Sequence, residues 1–152
     1  MNESNNNEVN ILMADDDPDD RMFFADAIVS LPVRINLTTV KDGARLMQLL
    51  LQPETVLPDI LFLDLNMPFR NGFECLVEIR NHSRLKNIFI AIYSTTSNPR
   101  EVEETFSKGA NLFVHKPNTF TELKTTLAKV FKLDLKEYSH PEKEKFVLDT
   151  YC

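Results

Sequence analysis

The residue that most needs a chemical reason for its place is Asp64. It ends the apolar run Ile60-Leu61-Phe62-Leu63 and is followed by Leu65-Asn66-Met67-Pro68 and then Gly72. A carboxylate is costly to bury without partners, so its position at a strand end predicts that it emerges at a site and does not sit in the core. Three other places offer matching chemistry. Asp15-Asp16-Asp17-Pro18-Asp19-Asp20 puts five acids in six residues, Ser94 closes the run Ile88–Tyr93, and Lys116 follows Leu112-Phe113-Val114-His115. Carboxylates about 4 Å apart repel by roughly 4 kcal/mol at an effective dielectric of about 20. A hard divalent cation with oxygen ligands offsets that, and magnesium with one or two carboxylates, waters and a phosphate oxygen suits an open site. A hydroxyl and an ammonium can contact phosphoryl oxygens. An aspartate can act as the nucleophile to give an acyl phosphate, and Asp64, alone on its strand, is the residue of choice.

Those residues lie far apart in the chain, so the fold must bring them together. Val9 to Ala14 reads as a buried strand, and helical spacing follows in Met22, Phe23, Ala25, Ala27, Ile28 and Leu31 until Pro32. Ile35 to Val40 alternates as a strand nearer a sheet edge, and Asp42-Gly43 opens a helix carrying Leu46, Met47, Leu49 and Leu50. After the Asp64 strand, Phe73, Leu76, Val77 and Ile79 mark a third helix. Asn98-Pro99 with Glu101 begins a fourth, and Thr119 to Glu122 forms a capping box before a fifth with Leu123, Leu127, Val130 and Phe131. Strand and helix thus alternate five times, which predicts an α/β fold with a doubly wound parallel sheet and helices on both faces. Ligands bind such sheets outside the carboxyl ends of the strands. Asp15 and Asp16, Asp64, Ser94 and Lys116 are expected to meet there.

Composition narrows the class. A chain of 152 residues with 43 % hydrophobic and 26 % charged residues fits one soluble globular domain. A net charge of -6 argues against a nucleic-acid-binding surface, and three glycines argue against a glycine-rich phosphate loop. No apolar run reaches membrane-spanning length, and Met1 to Glu8 is polar, read as a flexible tail without a signal peptide. Cys75 and Cys152 make no disulfide framework, so a reduced cytoplasmic protein is expected, with Cys75 packed on a helix and Cys152 loose.

The acidic pair, Asp64-Leu65-Asn66-Met67-Pro68 with Gly72, Ser94, and Lys116-Pro117, in that order on successive strand ends, resemble a response-regulator receiver domain over about residues 9 to 132. The resemblance implies a flavodoxin-like five-stranded sheet of order 2-1-3-4-5. It implies that Asp64 accepts a phosphoryl group from a phosphohistidine on a sensor histidine kinase or a histidine phosphotransfer protein. Asp15, Asp16, Asp64 and the Asn66 backbone carbonyl would hold Mg2+, and Ser94 and Lys116 would contact the phosphoryl oxygens. Phe113 matches the aromatic whose rotamer couples to phosphorylation. The face of the fourth helix, fifth strand and fifth helix would then bind a protein target or a second copy. Receivers usually carry Ala or Gly where this chain has Thr95, which narrows access to Asp64. Asn66 and Thr96 fall where the family tunes the lifetime of the acyl phosphate.

Other readings compete. Asp17 as N-cap, Pro18 at the first helical position and Asp19 and Asp20 in the first turn are explained by capping and the macrodipole, leaving Asp15 and Asp16 for the site. A calcium loop fails because Asp20 and Asp26 replace the required Gly and Glu. A magnesium-dependent phosphatase with an aspartyl nucleophile is the runner-up, but no later acidic pair at a strand end supplies its metal site. Residues 133 to 152 form a C-terminal extension too short for a helix-turn-helix output domain. Within it Pro141 to Lys145 reads as a solvated link, and Phe146-Val147-Leu148 either docks on the domain or a partner or frays.

Overall fold

A computed structural model describes residues 8–96 and 98–148. Most of the expected N-terminal tail, Ser97, Asp149 and Cys152 lie outside the described residues. Five strands, β1 (Val9–Ala14), β2 (Ile35–Val40), β3 (Ile60–Leu63), β4 (Phe89–Ser94) and β5 (Leu112–His115), form one sheet of order β2-β1-β3-β4-β5. Every neighbouring pair is parallel. Between them run helices α1 (Pro18–Val29), α2 (Gly43–Leu50), α3 (Gly72–Asn81) and α4 (Pro99–Ser107), and α5 (Phe120–Lys132) follows β5. The sheet and its order are those expected.

The two-residue side-chain period of the strands sorts the core into two layers. Ile11, Met13, Ile60 and Phe62 point to the side packed by Phe24, Ala27 and Ile28 of α1 and Leu123, Leu127 and Val130 of α5. Leu12, Ala14, Leu61 and Leu63 point to the side packed by Leu46, Met47 and Leu50 of α2 and Leu76 and Ile79 of α3. All four residues of β3 are buried, whereas the outer strand β2 alternates, which is why its sequence alternates too. On the α1 side Phe24, Phe62 and Tyr93 meet edge to face, with centroids 5.0, 5.6 and 6.2 Å apart.

Local chemistry starts the helices at the carboxyl edge of the sheet. Asp17 caps α1 by accepting from the N–H groups of Asp19 and Asp20, with Pro18 at its first position. Asp42 and Asn98 cap α2 and α4 as expected. Asn71 and Glu74 form a reciprocal capping box on α3 that the sequence reading did not pick out. At α5 Thr119 accepts from the Glu122 N–H, but Glu122 returns a contact to the Thr119 hydroxyl, so only one arm of the expected box is a backbone bond. Cys75 is buried on α3, its thiol facing the Gly43 carbonyl.

The extension after α5 is built into the body. A 3-10 turn, Leu135–Tyr138, offers the carbonyls of Tyr138 and Ser139 to Asn111 Nδ2. A short helix α6 (Lys143–Phe146) then buries Phe146, which is 1 % exposed.

The turn after Asp64 depends on close backbone approach. A Cβ on Gly72 would lie 2.3 Å from the Asp64 carbonyl oxygen and 2.8 Å from Leu65 Cα. Both neighbours are backbone, so neither can yield cheaply. Gly72→Ala is expected to lower stability by about 1–3 kcal/mol, as overpacking does, in urea unfolding; a change near zero would show that the loop relaxes freely.

Candidate functional site

The site lies where β1, β3 and β5 end. Asp15 immediately follows β1, its N–H bonded to the Val40 carbonyl of β2, and Asp64 follows β3, its N–H bonded to the Ala14 carbonyl of β1. Two acids far apart in sequence are therefore held in register by ladder bonds that continue past the strands. Both are buried, Asp15 fully and Asp64 at 5 % exposure, while Asp16 is exposed. Asp64 does lie at a strand end, but buried and not out in solvent.

Lys116, the residue after β5, reaches back across the sheet edge. Its Nζ is 2.8 Å from Asp15 Oδ2, 2.9 Å from Asp20 Oδ2 and 3.6 Å from Asp64 Oδ2. It also stands 5.5 Å from the centroid of Tyr93, a cation–π contact that ties the site to the aromatic core. The Asp20 contact corrects the sequence reading. Asp20 does lie in the first turn of α1, but it also holds Lys116 and belongs to the site. Its place in the first turn of α1, close behind Asp15 and Asp16, was the available signal; only the position of Lys116 gives it meaning.

One oxygen from each of Asp15, Asp16 and Asp64 lies within 4.8 Å of the others. Asp15 Oδ1 accepts from the Asp17 N–H at 3.0 Å, while the buried Asp15 Oδ2 is met by the Lys116 ammonium at 2.8 Å. Three carboxylates with oxygens this close, two of them buried, are a donor set that fits a hard divalent cation such as Mg2+.

Ser94 is fully buried, and its Oγ accepts from the Thr96 N–H at 3.2 Å. It is joined to the site through the backbone, its carbonyl accepting from the Lys116 N–H at 2.9 Å, with no side-chain contact to Asp64 or Lys116. Thr95 is exposed beside it, and Thr96 Oγ1 accepts from the Asn98 N–H at the start of α4. Asn66 is exposed, with its N–H 3.4 Å from Asp64 Oδ1. Phe113 is buried one strand width away from Ser94, paired with Ile92 and 5.7 Å from the His115 ring.

Electrostatics follow from this packing. Burial, then the charge of Asp15, push the Asp64 carboxyl up to about 7, against the pull of Lys116 and the Asn66 N–H. Burial likewise raises Asp15, opposed by Lys116 and the Asp17 N–H. For Lys116, burial works to lower the ammonium, but Asp15, Asp20 and Asp64 outweigh it and hold it above its ordinary value.

Three comparisons bear on this geometry. The family model described as "Response regulator receiver domain" matches residues 11–128. The chain is 30 % identical over 110 residues to the two-component response regulator ORR6 of Oryza sativa subsp. japonica, covering 72 % of this chain and 64 % of that one, just under two thirds of the relative's length. It is 25 % identical over 127 residues to the response regulator Rcp1 of Synechocystis, covering 81 % of this chain and 86 % of that one. The fold is similar to the phosphorylated cyanobacterial phytochrome response regulator RcpA, with a TM-score of 0.77, 26 % identity, and coverage of 84 % of this chain and 94 % of that one.

An acid whose folded pKa lies above its unfolded value of about 3.9 adds stability below that value, and the contribution is lost as pH rises through the folded pKa. For Asp64 that window runs from about 4 to about 7. In metal-free buffer, Asp64→Asn is therefore expected to be more stable than the wild type at pH 8, with the difference shrinking towards pH 5. Denaturant titrations at the two pH values check this; an equal difference at both would contradict a raised Asp64.

Proposed function

The chain belongs to the response-regulator receiver family, and from that premise we propose that it is a phosphorylation-activated switch of a two-component system, with Asp64 as acceptor. The observation that carries the reading is the convergence of Asp15, Asp16 and Asp64 with Lys116 at one sheet edge. An Asp64 carboxylate oxygen attacks the phosphorus of a phosphohistidine on a sensor histidine kinase or histidine phosphotransfer protein. The new P–O bond forms as the P–N bond breaks, and the electron pair returns to the departing imidazole nitrogen.

Asp15, Asp16, Asp64 and the Asn66 carbonyl are the groups that would hold Mg2+. When bound, the ion neutralises the clustered carboxylates and the phosphoryl charge. Lys116, already poised over three carboxylates, supplies the cation for phosphoryl oxygens on the other side. Ser94 takes part by turning its hydroxyl from the Thr96 N–H towards the phosphoryl group. The exposed Thr95 and Asn66 border the access route and, with Thr96, set how long the acyl phosphate lasts.

The product is a changed surface, not a released compound, so the protein works as a switch and not as a turnover enzyme. Its target is a protein, bound through the face of α4, β5 and α5, and it works in the cytoplasm without nucleic acid. No helix among the described residues is long and apolar enough to cross a membrane.

Incubation with acetyl phosphate and Mg2+ is expected to add the mass of one phosphoryl group to the wild type. Asp64→Asn should gain none, and chelation of the metal should abolish the gain. Labelling of Asp64→Asn at the wild-type rate would overturn the assignment.

A further inference from the structure

The groove between α4 and β5 is filled by the chain's own C-terminal arm. Phe146 is 1 % exposed, its ring 5.2 Å from Phe106 of α4 and 6.2 Å from Phe113 of β5. Val147 bridges Phe113 in parallel fashion along the outer edge of β5, and the Leu148 N–H donates to the Phe113 carbonyl at 2.9 Å. Lys143 pairs with Glu103 on the exposed face of α4. An edge strand is thereby covered and an aromatic slot plugged by a single short segment.

Phe146 apart, that segment is lightly fastened. α6 has four residues and no side-chain cap, its ion pair is exposed on both sides, and Val147 is 40 % exposed. Such a unit belongs to the low-stability end of a structure, able to open without the rest. Its anchor, however, touches the strand that carries the site. Phe113 contacts Phe146 on one side, and three residues on, just past the end of β5, is Lys116, which lies 3.6 Å from Asp64. His115, between them, pairs in register with Ser94. A shift of Lys116 and Ser94 towards a group on Asp64 therefore pulls on the residue against which Phe146 packs.

We propose that residues 143–148 are a displaceable plug of the α4–β5 groove. Loading Asp64 releases them and exposes a docking groove for a protein segment of the same chemistry, basic and then aromatic, added along the β5 edge. The groove selects that partner by what the plug itself satisfies: an aromatic slot between Phe106 and Phe113, an acidic rim at Glu103, and free strand-edge groups at Phe113. This rests on Asp64 being the acceptor.

The test uses the full chain with beryllofluoride and Mg2+, a stable stand-in for the phosphoryl group, with occupancy read by fluorine NMR and opening by amide hydrogen exchange. Exchange at Leu148 is expected to speed up about tenfold on loading, within the range of coupling between linked sites, while β3 amides stay unchanged. Bound beryllofluoride with unaltered Leu148 exchange overturns the plug and leaves Asp64 standing; no bound beryllofluoride overturns both. By reciprocity, Phe146→Ala should bind beryllofluoride about tenfold more tightly than the wild type, and equal or weaker binding counts against the proposal. A synthetic peptide of residues 142–148 should bind the Phe146→Ala chain and the loaded wild type but not the unloaded one. Failure to bind either would remove the groove as a docking site.

Discussion

Two buried carboxylates, Asp15 and Asp64, share one ammonium, and the carboxyl edge of the molecule is arranged around that shortage of positive charge. The ladder bonds from β1 to β2 and from β3 to β1 fix the acids, and β5 must end where Lys116 can span to both. Burial raises the cost of each charge, and Lys116 recovers only part of it. The cluster is left hungry for another cation and receptive to a group that would carry its own. Asp20 sharpens the competition. It holds Lys116 at 2.9 Å, nearer than Asp64 does at 3.6 Å.

The sheet makes this arrangement rigid where rigidity matters. β3 is buried on both faces, and the turn beyond Asp64 is locked by Gly72 against the Asp64 backbone and by the Asn71–Glu74 box. Phe69, in that turn, is forced to a positive φ of 68° and stands 85 % exposed. That is a conformation a bulky residue adopts only when its surroundings impose it. Ser94 is held in β4 by its backbone, and its hydroxyl accepts from the Thr96 N–H.

Much of this was legible in the chain. Apolar runs of four to six residues between helix-period segments gave the order of elements, because a strand buried on both faces has to be apolar throughout. The capping residues Asp17, Asp42 and Asn98 marked helix starts because orphan N–H groups demand them. Asp15, Asp16, Asp64 and Lys116 could be gathered because parallel sheets bring strand ends to one edge. Asp20 escaped because its capping explanation was sufficient locally, and its second partner is 96 residues away. For the extension, docking and fraying both stayed open for a related reason, and the structure shows docking. Phe146 needs Phe106 and Phe113 to form a slot, and no local pattern in Lys-Glu-Lys-Phe-Val-Leu announces that slot.

β5 is where these strands of the structure meet. It is an edge strand of only four residues, so its position depends on what packs at either end and along its free side. At its carboxyl end Lys116 answers to the charge at Asp15, Asp20 and Asp64. Along its free edge Val147 and Leu148 take up hydrogen-bonding groups that another chain would otherwise find. This short edge strand is thus held at its tip by the charges of the site and along its side by the segment that covers it.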